Sequence, residues 1–320
     1  MIKILSSADW HVNLHKKKIP SSWQMQRFQM LFQKLHKLEQ ECDVHVISGD
    51  LFDKEPEPDE VCLLLSYLNT VTIPTIIIPG NHEATTKGSS FWEYFKLENT
   101  VTNPLVHIFT ENSRIDIKDV SFALFPYGSV QTNNLPVYIE NDILVTHIRG
   151  EVPPHITAEY DFEKLRPWKL ILLGDLHANH KYKDFPAYYP GSPINTTFDR
   201  DDRRKYGVDV ITLNSIDAYS VKFIDLKLPK LIRRTITVDE PMTSDKYHHV
   251  IYEVKGSIDQ LAKVVKNDLL DKKMIEKDVS ESVLNLKDKT TLEELQIYLE
   301  YINVSSIDAV LDTYKDLGLQ

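Results

Sequence analysis

Ile76-Ile77-Ile78-Pro79-Gly80-Asn81-His82-Glu83 is the stretch on which the reading of this chain turns. Three β-branched residues running into Pro-Gly mark a buried strand that stops abruptly. The residues after the stop are an amide, an imidazole and a carboxylate, and they stand where an α/β sheet builds its site, at the carboxyl end of a strand. Asn81 offers an amide oxygen to a metal, His82 is placed to face a substrate, and Glu83 is expected to orient the His82 ring.

The same grammar recurs outward in both directions. Ile4-Leu5-Ser6-Ser7-Ala8-Asp9-Trp10-His11 brings a carboxylate and an imidazole from one strand end, two residues apart and so on one side. Val46-Ile47-Ser48-Gly49-Asp50-Leu51-Phe52-Asp53 ends a second strand on a turn glycine with Asp50 behind it, placed to bridge two ions. Ile143-Leu144-Val145-Thr146-His147 ends a strand on a histidine, and Leu172-Leu173-Gly174-Asp175-Leu176-His177 again supplies two ligand types one residue apart, with His180 read as a loop residue. Taken singly, Asp-x-His and Gly-Asp are also ordinary turns, and a lone strand histidine is more often a hydrogen-bonded core residue. Five such strand ends in one chain are not accidental. Asp9, His11, Asp50, Asn81, His147, Asp175 and His177 suffice for two ions of the Mn²⁺ or Fe²⁺ type sharing one carboxylate, which is the equipment of a two-metal hydrolase.

Between these ends the pattern alternates strand and helix. Met25, Phe28, Leu31, Phe32, Leu35, Leu38 and Cys42 recur at spacings of three and four, which predicts a helix over 24–42, and a second is expected over 59–69. With strands at 2–6, 44–48 and 75–79 this is βαβαβ, and further strands are expected at 106–109, 114–117, 120–125, 143–146 and 170–173, with a hairpin over 208–225. The fold class is therefore α/β with a sheet-on-sheet core. Around Leu228-Pro229-Lys230 the pattern changes, and three parts are expected: 1–228, a small α/β part over 229–285 containing a strand at 250–254 and a helix at 258–270, and a helical tail over 286–320.

Composition sets outer limits. At 320 residues and 42% apolar the chain is globular, and its apolar runs fall far short of the roughly 20 residues a membrane span needs. No membrane contact is expected. Met-Ile-Lys-Ile-Leu followed so soon by Asp9 does not read as a secretory leader, so the expected compartment is the cytoplasm, which would be the host's if the chain is phage-encoded, as the resemblance named below implies. Cys42 and Cys62 read as reduced core thiols rather than a disulfide or zinc framework. A net charge of −10 argues against nucleic-acid binding by overall basicity, yet two acid-free islands stand out: Lys16, Lys17, Lys18, Arg27, Lys34 and Lys37 within 10–38, and Lys227, Lys230, Arg233 and Arg234 within 226–238.

The order Asp-x-His, Gly-Asp-x-x-Asp, Gly-Asn-His-Glu, His and Gly-x-x-His resembles the calcineurin-like metallophosphoesterases, and within them the nucleases of the SbcD and Mre-eleven type in a compact, phage-like form. Tyr189-Pro190-Gly191-Ser192-Pro193 supports the likeness, which covers residues 1 to about 225 and fades across the C-terminal third. The resemblance implies a core of two packed β-sheets flanked by helices, plus a small capping part and C-terminal helices. It implies that Asp9, His11, Asp50 and His177 hold one ion and Asp50, Asn81, His147 and Asp175 the other, Mn²⁺ first and Mg²⁺ as the alternative, with His82 the catalytic acid. One position departs from the family: Asp175 stands where a histidine is usual. It further implies 3′-to-5′ exonuclease action on double-stranded DNA ends and endonuclease action on single strands, repair and recombination as the setting, and an SbcC-type, SMC-like ATPase docking on the tail helices. A homodimer contact would involve Phe91, Trp92, Tyr94, Phe95 and Leu97 beside the helix of residues 61–68. Lys16, Lys17 and Lys18 start five residues beyond His11, and Lys181 and Lys183 follow His177, so these five are expected on the rim where DNA would pass. A phosphomonoesterase for nucleotides or phosphoproteins, and a DNA-end bridging module with residual catalysis, remain the rival readings.

Overall fold

The computed structural model describes residues 1–84, 100–129, 142–151, 157–201, 203–275, 284, 286 and 288–316. The aromatic segment Phe91 to Leu97 lies outside the described residues. Two compact units are present, Met1–Arg234 with Thr243–Ile251, and Thr235–Met242 with Tyr252–Gln320.

In the first unit β1 (Ile2–Ser7), β2 (Val44–Ser48), β3 (Thr75–Ile78) and β4 (Val106–Ile108) run parallel, linked by α1 (Ser21–Glu39) and α2 (Pro58–Leu68). The hairpin β11 (Gly207–Ser215) and β12 (Ala218–Asp225) returns late in the chain to extend this sheet beyond β1, in the order β12-β11-β1-β2-β3-β4. A second sheet has the order β5-β6-β7-β8-β10-β9, built from β5 (Ser113–Ile117), β6 (Val120–Phe125), β7 (Ile143–His147), β8 (Ile171–Gly174), β9 (His180–Lys181) and β10 (Ala187–Tyr189).

Strand alternation makes three apolar layers from these two sheets. Ile4, Val46, Ile76 and Ile78 of the first sheet meet Phe122, Leu124, Val145 and Leu172 of the second between them. The intervening residues Leu5, Ile47 and Ile77 turn outward and are covered by Phe28, Leu31, Phe32 and Leu35 of α1 and Leu64 and Leu68 of α2. On the far face Leu144, Ile171 and Leu173 are covered by Tyr160, Leu165 and Trp168. β2, β3, β7 and β8 are buried on both faces, which is why apolar residues dominate them with little alternation, His45 in β2 being a polar interruption.

The helical layer hides a polar line. Trp10 Nε1 donates to Ser7 Oγ at 3.1 Å, Ser7 Oγ bonds His45 Nε2 at 2.9 Å, and His45 Nδ1 lies 3.5 Å from Glu39 Oε1, which also accepts from the Tyr67 hydroxyl. Glu39 Oε2 takes a further bond from His36 Nδ1 at 2.9 Å. Burial would raise the Glu39 pKa, but the bonds from His45, Tyr67 and His36 outweigh it and bring it down to about 2. Arg27 is buried as well: it donates to the Pro229 carbonyl at 2.8 Å and to the Asn195 carbonyl at 2.7 Å, tying α1 to two later segments. It is therefore a staple and not part of a basic surface, and burial lowers its pKa to about 9.

The second unit contains most of the sheet β13 (Leu231–Thr237), β14 (His249–Gly256) and β15 (Leu270–Ile275), together with α3 (Ile258–Lys263), α4 (Thr291–Tyr301) and α5 (Ile307–Asp316). The helix expected over 258–270 stops at Lys263, because Asn267 Oδ1 accepts the Leu269 and Leu270 amides in a turn that starts β15. Cys42 is buried with its pKa raised to about 11, chiefly by burial, whereas Cys62 is exposed on α2, contrary to the core reading. No helix among the described residues is long and apolar enough to cross a membrane.

A carboxylate depressed by native bonds supports folding above its ordinary pKa and loses that support as pH falls towards its folded value. Glu39→Gln is expected to lower stability by about 2 kcal/mol at pH 7. Thermal melts recorded from pH 7 down to pH 2 should show the gap from the native chain closing between about pH 4.5 and pH 2.

Candidate metal centre

The carboxyl ends of β1, β2, β3, β7 and β8 converge at one edge of the sandwich. Beyond β1 and β2 the two segments stay zipped, with Asp9 N donating to Gly49 O at 3.0 Å, His11 N to Asp50 O at 3.0 Å and Val12 N to Leu51 O at 2.7 Å. The zipper costs backbone strain, since Asp9 (φ 56°), His11 (φ 49°) and Asp50 (φ 54°) are in the left-handed region, as is Asp175 (φ 102°) just past β8. Four of the nine such non-glycine residues described are thus ligand candidates, and strain of this kind concentrates at functional sites.

All seven expected ligands come together. Asp9, His11 and His177 present ligand atoms within 4.8 Å of one another, and so do Asp9, Asp50 and His147. Asp50 Oδ2 stands between the two groups, 3.6 Å from His11 Nε2 and 3.5 Å from His147 Nε2. His147 Nδ1 donates to the Ser48 carbonyl at 2.6 Å, so Nε2 faces inward, 2.9 Å from Asn81 Oδ1 and 4.0 Å from Asp175 Oδ1. Thr196 Oγ1 bonds His177 Nδ1 at 3.2 Å, leaving its Nε2 for the site.

The residues present fit divalent cations. Asp9 Oδ2 and His11 Nε2 are buried without a hydrogen-bond partner among the described residues, which costs about 1–3 kcal/mol for each group unless a cation satisfies it. Burial opposes a charge on His147, yet the Asp50 and Asp9 carboxylates outweigh it and push its pKa up to about 10. Burial would likewise raise Asp50, but His147 and His11 bring it down to about 2. Burial, reinforced by the Asp50 and Asp175 carboxylates, holds Asp9 well above the usual carboxylate range. So much negative charge in so dry a place calls for positive charge, which a His147 proton supplies in part and two metal ions would supply in full.

Two glycines make this approach possible. A Cβ on Gly49 (φ 90°) would sit 2.5 Å from His147 Nδ1 and 2.7 Å from Gly80 Cα, and one on Gly80 would sit 2.6 Å from the Asp50 amide and 2.7 Å from His147 Cε1.

His82 is half-buried and faces the same cleft as Asp50, Asn81, Asp175 and His177. Its Nδ1 donates to the Asp53 carbonyl at 2.6 Å, which directs Nε2 away from the backbone. Glu83 does not orient this ring, contrary to expectation. Its buried carboxylate accepts the amides of Asp50 at 2.9 Å, Phe52 at 2.9 Å and Gly80 at 2.8 Å, bracing two ligand loops, and burial together with Asp50 raises its pKa to about 7.

The sequence reading missed several supporting residues. Asp53, quoted within its motif but given no role, lies 3.4 Å from His11 Nδ1 and accepts from Asn13 Nδ2 at 2.8 Å. Ser192 donates to the Asp9 carbonyl at 2.7 Å and its amide to the His177 carbonyl at 3.0 Å, which gives the Tyr189-Pro190-Gly191-Ser192-Pro193 segment its purpose. Arg149 lines the cleft and pairs with Asp175; two residues after a strand-end histidine, it carried a legible signal. Of the expected rim lysines, Lys17, Lys18, Lys181 and Lys183 are exposed. Lys16 is half-buried, its ammonium 3.5 Å from Asp53 Oδ2 and donating to the Thr196 carbonyl, so it bridges the supports of His11 and His177.

Comparison with known proteins adds the following. Residues 2–213 match the family described as calcineurin-like phosphoesterase. A probable exonuclease subunit 1 of Escherichia phage T5 is 34% identical over 321 residues, covering 97% of each chain. Among solved structures, a Thermus thermophilus protein superposes with a TM-score of 0.42 at 11% identity, covering 71% of this chain and 99% of its own. A predicted phosphoesterase of Streptococcus pneumoniae does so with a TM-score of 0.34 at 14% identity, covering 70% of this chain and 90% of its own.

Gly80→Ala is expected to leave the sandwich folded, at a stability cost of about 1–3 kcal/mol. Its methyl group displaces the Asp50 carboxylate and the His147 ring, so calorimetric titration with Mn²⁺ should show at least one binding event weakened tenfold or more.

Proposed function

This chain belongs to the calcineurin-like phosphoesterases, and on that footing we propose that it is a two-metal DNA nuclease subunit: Mn²⁺-dependent, exonucleolytic from 3′ to 5′ on duplex ends and endonucleolytic on single strands. The observation that carries the chemistry is the Asp50 carboxylate standing between His11 and His147 and lining one cleft with His82, whose ring packs edge-on against His11 at 4.6 Å. The phage T5 relative, named a probable exonuclease subunit and matched along 97% of both chains, supports the substrate and supports a partner subunit. For that partner we favour an SMC-like ATPase of the SbcC type docking on α4 and α5, where Tyr298, Tyr301, Ile302 and Val310 are exposed. The reading includes a homodimer, work on broken DNA ends in a cytoplasm, and a nuclease part of residues 1–228 followed by a capping part of 229–285 and the tail.

In this reading Asp9, His11, Asp50 and His177 hold one ion, and Asp50, Asn81, His147 and Asp175 the other. A mixed set of carboxylate, amide and imidazole suits Mn²⁺, with Mg²⁺ the harder alternative. Two ions held by these residues would supply a water of lowered pKa and positive charge against the phosphodiester. The chain's own residues do the rest. Ser48 fixes the His147 tautomer, Asp53 steadies His11, and Thr196 steadies His177. His82 Nδ1 keeps its proton on the Asp53 carbonyl, and His82 Nε2 delivers a proton to the leaving oxygen. Lys17, Lys18, Lys181 and Lys183 are assigned to the DNA backbone, whereas Lys16 serves the ligand supports.

His82→Ala should keep the fold and the Mn²⁺ stoichiometry while lowering cleavage by roughly 10²- to 10⁴-fold. Digestion of a 3′-labelled duplex oligonucleotide with Mn²⁺, with Mg²⁺ and with chelator checks this. Near-normal turnover by the variant would remove His82 from the mechanism, and tight DNA binding by a native chain that cleaves nothing would favour the end-bridging module.

A further inference from the structure

Arg149 leaves the carboxyl end of β7 two residues beyond His147 and enters the cleft from the side of Asp175. Its Nε donates to Asp175 Oδ2 at 3.0 Å and its Nη2 lies 3.1 Å from Glu159 Oε1. Glu159 is itself fixed to the same residue, its amide donating to the Arg149 carbonyl at 2.8 Å. The guanidinium is thus gripped along one edge. Nη1, on the other edge, has no hydrogen-bond partner among the described residues, and the side chain remains 43% exposed.

Asp175 is divided between two tasks in the same geometry. Oδ2 takes Arg149, and Oδ1 turns inward to 4.0 Å from His147 Nε2, while the Asp175 amide donates to Asp9 Oδ1 at 3.1 Å. A neutral imidazole at this position would add no charge. A carboxylate adds one negative charge to a centre that already holds Asp9 and Asp50, and the cation that cancels it is Arg149. An ion pair this open to solvent adds little to folding stability, so its worth lies in what it holds in place.

We propose that Arg149 and Asp175 act as one unit in which Asp175 anchors the guanidinium and Arg149 presents its outer edge to a non-bridging oxygen of the substrate phosphate. This rests on the phosphodiesterase reading above and names a further substrate-binding residue within it. Arginine suits the task because its planar fork can hold a carboxylate on one edge and a phosphate on another without losing its charge. The expected contribution to phosphate binding is about ten- to a hundredfold, the range of a hydrogen bond between charged groups.

Two readouts taken on the full chain separate this from a merely structural role: Mn²⁺ binding followed by electron paramagnetic resonance, and inorganic phosphate binding to the Mn²⁺-loaded protein, measured directly and as competitive inhibition of cleavage. Arg149→Ala should weaken phosphate about ten- to a hundredfold and raise KM for DNA, yet bind Mn²⁺ as tightly as the native chain or more tightly, because the Asp175 charge is then uncompensated. Arg149→Lys should fall between the two, keeping the charge and losing the fork. Asp175→Asn should weaken phosphate too, through loss of the anchor, and should also weaken the second Mn²⁺. Phosphate binding by Arg149→Ala within twofold of native would overturn the assignment, as would loss of Mn²⁺ in step with phosphate. A native chain that binds no Mn²⁺ or cleaves no phosphodiester would instead bring down the two-metal reading and this unit with it.

Discussion

The bond from His147 Nδ1 to the Ser48 carbonyl, 2.6 Å long, is the contact on which the rest of the molecule depends. It joins the end of β7 in one sheet to the end of β2 in the other, and so fixes where the two layers of the sandwich meet. It also decides the chemistry of the ring: with Nδ1 committed to a carbonyl, Nε2 has to face Asp50, Asn81 and Asp175. A one-residue slip of either strand would turn its side chains to the opposite face and take the ligand out of the site. The apolar packing between the sheets is what makes such a slip costly, and it thereby holds four strained backbone positions in the left-handed region.

Access decides what polar residues in this fold can do. Ser7, His45 and Glu39 line up beneath the first sheet in the order of a hydrolytic relay, yet all three are sealed from solvent by α1 and α2 and can only bear load. The candidate metal centre has the same kinds of residue at the open edge of the same strands. Composition alone could not have told the two apart; the position of each group along its strand does.

The framework and the placement of the candidate ligands were legible because both are local. Alternation and helical spacing locate β1, β2, β3, β7, α1 and α2, and each ligand follows directly on a strand, so its place in space comes with the strand's end. What could not be read depends on distant partners. Arg27 looks like one more lysine-island cation until Asn195 and Pro229, 168 and 202 residues away, are folded against it. The same holds for Lys16 with Thr196, and for Glu83, whose three amide donors come from two loops. β9 and β10 are two and three residues long, too short for any period to show. β15 carries Lys272 and Lys273 where an apolar pattern would have marked it, and these side chains find Glu253 at 3.0 Å and the Leu261 carbonyl at 2.6 Å only after folding.

The order of the strands along the chain has a consequence for the protein's birth. β1 leads directly to Asp9 and His11, yet it lies between β2 and β11, and the candidate centre it serves also draws in Asp175 and His177 from beyond β8. Contacts spanning more than half of the chain form late, because the long intervening loops must first be closed. A growing chain therefore lacks two of the seven candidate ligands until the segment beyond β8 has been made. A phosphoesterase of this topology thus acquires its candidate centre only once the chain extends past β8.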